Sequence, residues 1–516
     1  MALVLIASAR IVSTYTVFSH TSDEPAHVAC GMEWLDKGIY TWEPQHPPLA
    51  RIAVALGPYL SGIRSYGLPH TENLQMFKEG AKILYTGDHY DRTLALARLG
   101  VLPFFWVACA MVYWWGRRYF SRAVAVVAVF LFTFLPPVLA HAGLATTDMA
   151  LTAFMTAWFV TGLIWVEEPG VKHAIWFGAA SGLMVLSKFS CMAFCPVIAA
   201  LVLAGYFLLR RPGLAPVLSA AKARIPTLGL AVLIAFAIIW AGYRFSFGKV
   251  PFANLSLPFP ELYQGIRDVQ AHAEHGHQCY LLGEIRDSGF WDFYFVGLAF
   301  KSPLAFLALL GVGLALTFGK YRLARNLWLP LVFAAGILLV GMFSTINIGI
   351  RHVLPVYVAF SLMAAVAVMK LLESGAASKW AWGLLAGLLL WMSASSVLSH
   401  PDYLPYFNEM AGNEPENILV DSDLDWGQDV KRLAARLHQL GATSVAYTGF
   451  VWAELEDHHN FPKIRSLDRF HPVEGYNAIG VTLLKAHRTI VWPDQIKFQE
   501  RVGKSILMWY FPPAAR

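Results

Sequence analysis

Hydrophobic positions in this chain fall into long, nearly unbroken runs rather than the stripes or alternations of a soluble fold. A helix needs about 20 mostly apolar residues to cross the hydrocarbon core of a bilayer. Ten segments meet or approach that length: 99–116, 123–140, 149–166, 174–187, 189–209, 226–243, 302–319, 327–346, 353–369 and 380–398. The 174–187 run is short and Lys188 divides it from the next, which predicts two helices meeting in a tight hairpin at one membrane face. Residues 2–19 form an eleventh candidate, interrupted by Arg10. It has no basic leader, and its apolar stretch before Ala7–Ser8–Ala9 is too short for a cleavable signal, so it is expected to be the first span, with a few residues missing ahead of it.

Between and after these runs lie two long polar loops, 20–92 and 246–292, and a tail from 400 to 516. An amphipathic stretch near 25–37 and a more apolar one at 47–63 are expected to lie on the membrane surface. The tail reads as a strand at Ile418–Asp421, an amphipathic helix over Asp429–Leu440, a strand over Ser444–Phe450, and strands near 479–484 and 505–511. The expected division is a transmembrane part, 1–399, and a small α/β domain, 400–516. No tandem or inverted repeat is visible.

Composition agrees with the runs. The 516 residues are 57% hydrophobic and 14% charged, where a soluble domain is roughly a quarter charged. Mean hydropathy is +0.49. A soluble enzyme, a disordered chain and a secreted disulfide scaffold are excluded, but a transporter, a channel and a membrane enzyme are not yet separated. The net charge of +6 includes no Lys/Arg run of the kind that tracks nucleic acid. Alternate short connections carry Arg117, Arg118 and Arg122; Lys172; Arg210, Arg211, Lys222 and Arg224; Lys320, Arg322 and Arg325; and Lys370 and Lys379. With eleven spans all five connections share one side, which the positive-inside rule makes cytoplasmic. The N-terminus is then inside, and both long loops and the tail are outside. Of the five cysteines, only Cys30 and Cys279 are placed to pair in one compartment.

Ionisable groups at membrane depth are costly and mark function by default. Here they gather at the outer ends of the spans. Ser22–Asp23–Glu24–Pro25–Ala26–His27 follows the first run, and Glu43–Pro44–Gln45–His46–Pro47–Pro48–Leu49 lies in the same loop. Thr146–Thr147–Asp148 opens the run at 149, Lys188 sits in the hairpin, Arg244 ends the run at 243, and Arg351–His352 precedes the run at 353. The functional reading is a site for an anionic lipid headgroup with a carboxylate available as base. The competing reading makes Asp148 a helix-start acid, and Lys188 and Arg351 snorkelling side chains.

These elements resemble glycosyltransferase family 39, the protein O-mannosyltransferase family that also includes the aminoarabinose transferase of lipid A. The resemblance rests on Asp23–Glu24, Gln45–His46–Pro47–Pro48–Leu49, Thr147–Asp148 and Lys188. It continues through Gly276–His277, Tyr280–Leu281–Leu282–Gly283–Glu284, Lys301–Ser302–Pro303–Leu304 and Arg351–His352–Val353–Leu354–Pro355. In the tail it takes in Tyr406–Phe407–Asn408–Glu409 and Asp421–Ser422–Asp423–Leu424–Asp425–Trp426–Gly427–Gln428–Asp429, a pattern of bacterial members.

The resemblance implies an all-α polytopic membrane protein of the GT-C fold, with about 11 transmembrane helices plus the small tail domain. It implies a multi-pass protein of the bacterial inner membrane that takes a sugar from a polyprenyl-phosphate donor. The acceptor hydroxyl would belong to a protein Ser/Thr, a lipid or a glycan. Asp23 would be the general base of an inverting transfer, with Glu24 beside it and Asp148 the second acid lining the cavity. Lys188 and Arg351 would hold the phosphate, with Arg244, His352, His277 and His46 as further substrate-binding residues. His46 stands where the aminoarabinose transferase carries a Lys, so sugar identity does not carry over.

No cofactor is expected. Asp421–Ser422–Asp423 has the spacing of a metal–nucleotide-sugar motif, but a lipid-linked donor needs no such chelate, and a turn or helix-cap role is expected. His272, His275, His277 and Cys279 have zinc-type chemistry without a standard spacing. The alternative function is a transporter or flippase of lipid-linked sugars, though transporters place polar sites near the midplane of repeated halves.

Overall fold

A computed structural model describes residues 1–69, 74–250, 252–321, 324, 326–375 and 378–513, with the backbone alone for Asp494. Arg322 and Arg325 lie outside the described residues. Helices stand at all eleven apolar segments. By length and composition, Tyr90–Tyr119, Asp148–Glu167, Ser190–Arg210, Leu214–Gly242, Val356–Gly375 and Lys379–Leu398 can each cross a membrane. Arg122–Thr133 and Pro136–Ala142 make a seventh span if the pair, bent by 70°, counts as one. Val171–Val185, Leu304–Thr317 and Trp328–Met342 are shorter. This is a multi-pass membrane protein.

The first segment departs from expectation. Its helix ends at Val12 after 11 residues, which at 1.5 Å per residue reaches only about half of a ~30 Å core. Ser13 and Thr14 turn their hydroxyls back onto the carbonyls of Arg10 and Ile11. Arg98 then collects the carbonyls of Tyr15, Phe18 and Ser19, which a continued helix would have used internally. Arg10 donates to Tyr403 Oη at 3.0 Å and to the Ser396 carbonyl at 2.6 Å, so its charge is spent on the last helix and the tail.

The stretch expected on the membrane surface at 25–37 is instead interior as far as Glu33. It forms a helix over Glu24–Met32 in which every residue is buried, followed by a π-turn over Glu33–Lys37. Two glycines permit the close packing around it. A Cβ on Gly31 would stand 1.9 Å from the Arg51 carbonyl oxygen in the Pro48–Leu60 helix, and one on Gly80 would stand 1.8 Å from the Pro25 carbonyl oxygen. The 246–292 loop carries the Pro260–His275 helix between two antiparallel hairpins, Phe247–Lys249 with Ser256–Pro258 and Cys279–Leu281 with Glu284–Arg286. Cys30 and Cys279 are free and buried, so the possible disulfide is not formed.

In the tail, a helix over Val430–Gln439 packs on a five-stranded mixed sheet. The strand order is Lys463–Arg465, Ser444–Thr448, Gly475–Gly480, Ile506–Phe511, Glu500–Val502. Two predicted strands are corrected. Ile418–Asp421 is irregular, because 3-10 turns at Pro415–Asn417 and Asp421–Asp423 bracket it. The strand expected near 479–484 runs over Gly475–Gly480 and gives way to a π-turn at Leu483–His487. The tail is joined to the helical body: Ser19 and Ser22 donate their N–H groups to the carbonyls of Gln428 and Trp426, and the apolar core of the helices continues through Tyr403, Leu404, Leu419 and Trp426.

Candidate active site

Four charged side chains from four separate elements meet at one end of the bundle. Asp23 precedes the buried Glu24–Met32 helix, whose N–H groups its side chain does not cap. Asp148 is the first residue of the Asp148–Glu167 helix. Lys188 occupies the turn between Val171–Val185 and Ser190–Arg210, the predicted hairpin. Arg351 lies in a 3-10 turn over Ile350–Val353, ahead of the Val356–Gly375 helix.

The four form a chain of alternating charge. Asp23 Oδ2 is 3.1 Å from the Arg351 guanidinium, Arg351 is 3.8 Å from Asp148 Oδ2, and Asp148 Oδ1 accepts from Lys188 Nζ at 2.6 Å. Lys188 and Arg351 are buried, so neither is snorkelling. Asp148 is completely buried between cations from two other elements, which a purely local helix-start role does not require. Asp23, by contrast, leaves 32% of its side chain open, giving a substrate access to it.

Burial pushes the Asp23 carboxyl above the usual carboxylate range, Arg351 opposes the shift, and Glu43 and Asp148 reinforce it. Burial lowers Lys188, and Asp148 counteracts part of that. Imidazoles lie around the cluster, His46, His352 and His277 among them. Burial together with neighbouring cations holds His46 and His352 well below the ordinary histidine value. His277 is lowered too, by burial and by His272. Neutral rings of this kind offer one donor and one acceptor each to hydroxyl-rich ligands. Among the described residues, His46 Nδ1 and Asp148 Oδ2 are buried without a hydrogen-bond partner in the protein.

Two of the sequence-derived residues stand elsewhere. Glu24 accepts from Arg98 Nε and Nη2 at 2.8 Å each, from the Ala145 N–H at 2.8 Å and from the Thr21 N–H at 2.7 Å. Both its oxygens are occupied and it is fully buried, so it braces the loop and is not available for catalysis. Arg244 is exposed; it stacks on Trp34 at 4.8 Å and donates to the Trp34 carbonyl at 3.1 Å, away from the acidic pair. His272, His275, His277 and Cys279 do not form a ligand set: His275 bonds the Ala271 carbonyl, and Cys279 donates to the carbonyl of His277. Among the described residues no group of three or more His, Cys, Asp or Glu side chains comes together to hold a metal.

Sequence reasoning missed the supports of this site. Arg51, fully buried, donates to His27 Nδ1 at 3.1 Å, to Tyr40 Oη at 3.1 Å and to the Glu43 carbonyl at 2.7 Å, and pairs with the Glu43 carboxylate. On the other side Arg351 donates from Nε to Ser422 Oγ at 3.1 Å and lies over the Trp426 ring at 4.2 Å. A polar cluster in an outer loop is a signal for such braces, but it does not say which partner each takes.

Residues 93–241 match the family described as dolichyl-phosphate-mannose-protein mannosyltransferase. Over that segment the match agrees with the resemblance read from the sequence. The matched segment contains Asp148 and Lys188 and ends before Arg351. The whole chain shares the fold of ArnT from Cupriavidus metallidurans. Its crystal structure bound to undecaprenyl phosphate aligns with TM-score 0.50, and its apo structure with 0.51. In both, the match covers 98% of this chain and 97% of that chain at 13% identity. No curated protein matches this chain.

Proposed function

We propose that this GT-C protein is an inverting glycosyltransferase that moves a sugar from a polyprenyl-phosphate donor to an acceptor hydroxyl. The site would face outward from a bacterial inner membrane, with the N-terminus cytoplasmic and residues 400–516 extracytoplasmic, as the basic connections suggest. The carrying observation is the Asp23–Arg351–Asp148–Lys188 chain, in which one partly open carboxylate stands beside two buried cations. The match to a mannosyltransferase family and the fold shared with an undecaprenyl-phosphate-binding protein support the donor class.

In this reading Asp23 accepts the hydroxyl proton of the acceptor as that oxygen bonds to the anomeric carbon. The bond from that carbon to the phosphate oxygen breaks, and its electron pair leaves with the polyprenyl monophosphate. The leaving group gains charge rather than a proton, so cations stabilise it better than an acid does. Arg351 and Lys188 supply them, and Asp148 fixes both in place. His46, His352 and His277 would bind the sugar hydroxyls. The sugar would be of the hexosyl, mannosyl-like class, and the acceptor hydroxyl would belong to a protein Ser/Thr, a lipid or a glycan.

The test is transfer by purified D23N from a polyprenyl-phosphate sugar to its acceptor. A folded variant with near-normal turnover overturns the assignment of Asp23. Movement of labelled donor across vesicles without its consumption would instead favour the flippase alternative.

A further inference from the structure

The segment Asp421–Gln428 sits in the tail, yet it touches Arg351 and the turn that leads into Asp23. On the arginine side, Ser422 Oγ accepts from Arg351 Nε at 3.1 Å, and Trp426 lies flat under the guanidinium at 4.2 Å. The residue before Arg351 is fixed as well, since the Asp423 carboxylate accepts the Ile350 N–H at 3.2 Å. On the aspartate side, the carbonyls of Trp426 and Gln428 accept the N–H groups of Ser22 and Ser19 at 2.9 and 3.0 Å, holding the turn that ends in Asp23. Buried Lys301 ties the segment to the bundle by donating to the carbonyls of Asp423 and Leu404. The approach is close enough that Gly349, at φ +149°, has no room for a Cβ: it would stand 2.2 Å from Ser422 Oγ.

These contacts divide the guanidinium by function. Its Nε and one π-face are taken by the tail, while Nη1 is left pointing at Asp23 and Asp148. An arginine has five N–H donors in a fixed fork, so holding one edge aims the other. We propose that Ser422 and Trp426 are positioning residues for anion binding: by holding Nε and one face of Arg351 they fix its outer Nη edge beside Asp23, where the phosphate would bind, and the tail thereby completes the site rather than resting on it. The inference deepens the transferase reading and depends on Arg351 being a phosphate ligand.

The test titrates detergent-solubilised full-length protein with undecaprenyl phosphate, comparing parent, R351A, S422A, W426L and W426F, each first shown to be monodisperse with a cooperative melt. R351A should weaken binding at least roughly tenfold, as expected for losing a charge-assisted contact to the anion. S422A and W426L should each weaken it several-fold and raise the donor KM more than they lower kcat. W426F keeps a ring under the guanidinium and should recover most of the affinity. Unchanged affinity in R351A would overturn the phosphate assignment itself. Weakened binding in R351A with parent-like affinity in S422A and W426L would overturn only the positioning role. S422A removes one oxygen atom, which also donates to the Ile348 carbonyl, and parent-like affinity in S422A overturns the role of Ser422 even if W426L does not fold.

Discussion

Asp23 and Arg351 stand 3.1 Å apart, although one lies at the start of the chain and the other beyond its middle. Each has a reason to want the other. Burial raises the Asp23 carboxyl above the usual carboxylate range, and the guanidinium opposes that rise, favouring the carboxylate form that a base requires.

The pH profile should report that balance. Since burial raises Asp23 above its ordinary value, the acidic limb of kcat/KM should lie above the pH at which a free aspartate ionises. R351A removes the lowering influence, so the limb should move to higher pH, whereas in R351K it should move less. An acidic limb at the same pH in parent and R351A would contradict the coupling.

Lys188 and Asp148 form the shortest ion pair of the cluster, at 2.6 Å. Removing the lysine leaves a fully buried carboxylate with Arg351 at 3.8 Å as its nearest cation. K188M should therefore destabilise the protein by about 3–5 kcal/mol, the range for breaking a buried pair. D148N combined with K188M should recover part of that loss, measured as thermal stability in detergent. Both single variants should lose transfer.

Glu24 and Asp23 are neighbours in sequence with different consequences when changed. E24Q weakens a two-point Arg98 contact and two backbone N–H bonds inside the protein. It should lower stability by a few kcal/mol and reduce the yield of monodisperse protein. D23N, at a side chain that is partly open, should keep its fold and lose turnover by roughly 10²–10⁴-fold. A stable, folded and inactive E24Q would return Glu24 to the catalytic residues.

Asp421 carries a second pH signature. Burial raises its carboxyl to about 7, Arg351 opposes the shift, and Asp23 and Asp423 reinforce it. An acid whose folded value is raised keeps its proton in the native state after the unfolded chain has released it. Its contribution to stability is present below the unfolded value and is lost as pH rises towards 7. D421N should flatten that decline, and Asn tolerates the backbone there, where φ is 56°. Asp425, raised to about 6, works in the same direction and remains in the variant. Parallel melting curves for parent and D421N between pH 4 and 8, the window set by the ordinary and raised values, would refute the shift.

The hairpin at Lys188 was legible because a single lysine between two apolar runs has few places to go. The helix after Asp23 was harder. Its amphipathic pattern suits a membrane surface, but Gly31 and Gly80 let two neighbouring helices close over it, and pairwise fit of that kind leaves no periodic trace. Arg98, just ahead of an apolar run, resembles an ordinary interface residue until its partners are seen to be Glu24 and three carbonyls. The tail segment at 421–428 drew attention as a motif, yet its contact with Arg351 was not deducible from spacing.

The sequence by itself determined the need for a bilayer, the places of the helices and the gathering of polar residues at one end. Those follow from contiguous residues, since apolar length and flanking charge act locally on membrane insertion. Only the tertiary structure decided which charge meets which: Asp23 with Arg351, Asp148 with Lys188, Glu24 with Arg98, and the tail with the arginine. An ion pair is set by the distance between elements far apart in the chain, and it falls off within a few ångströms. Adjacent acids such as Asp23 and Glu24 thus part company, one at the open cluster and one locked inside the fold.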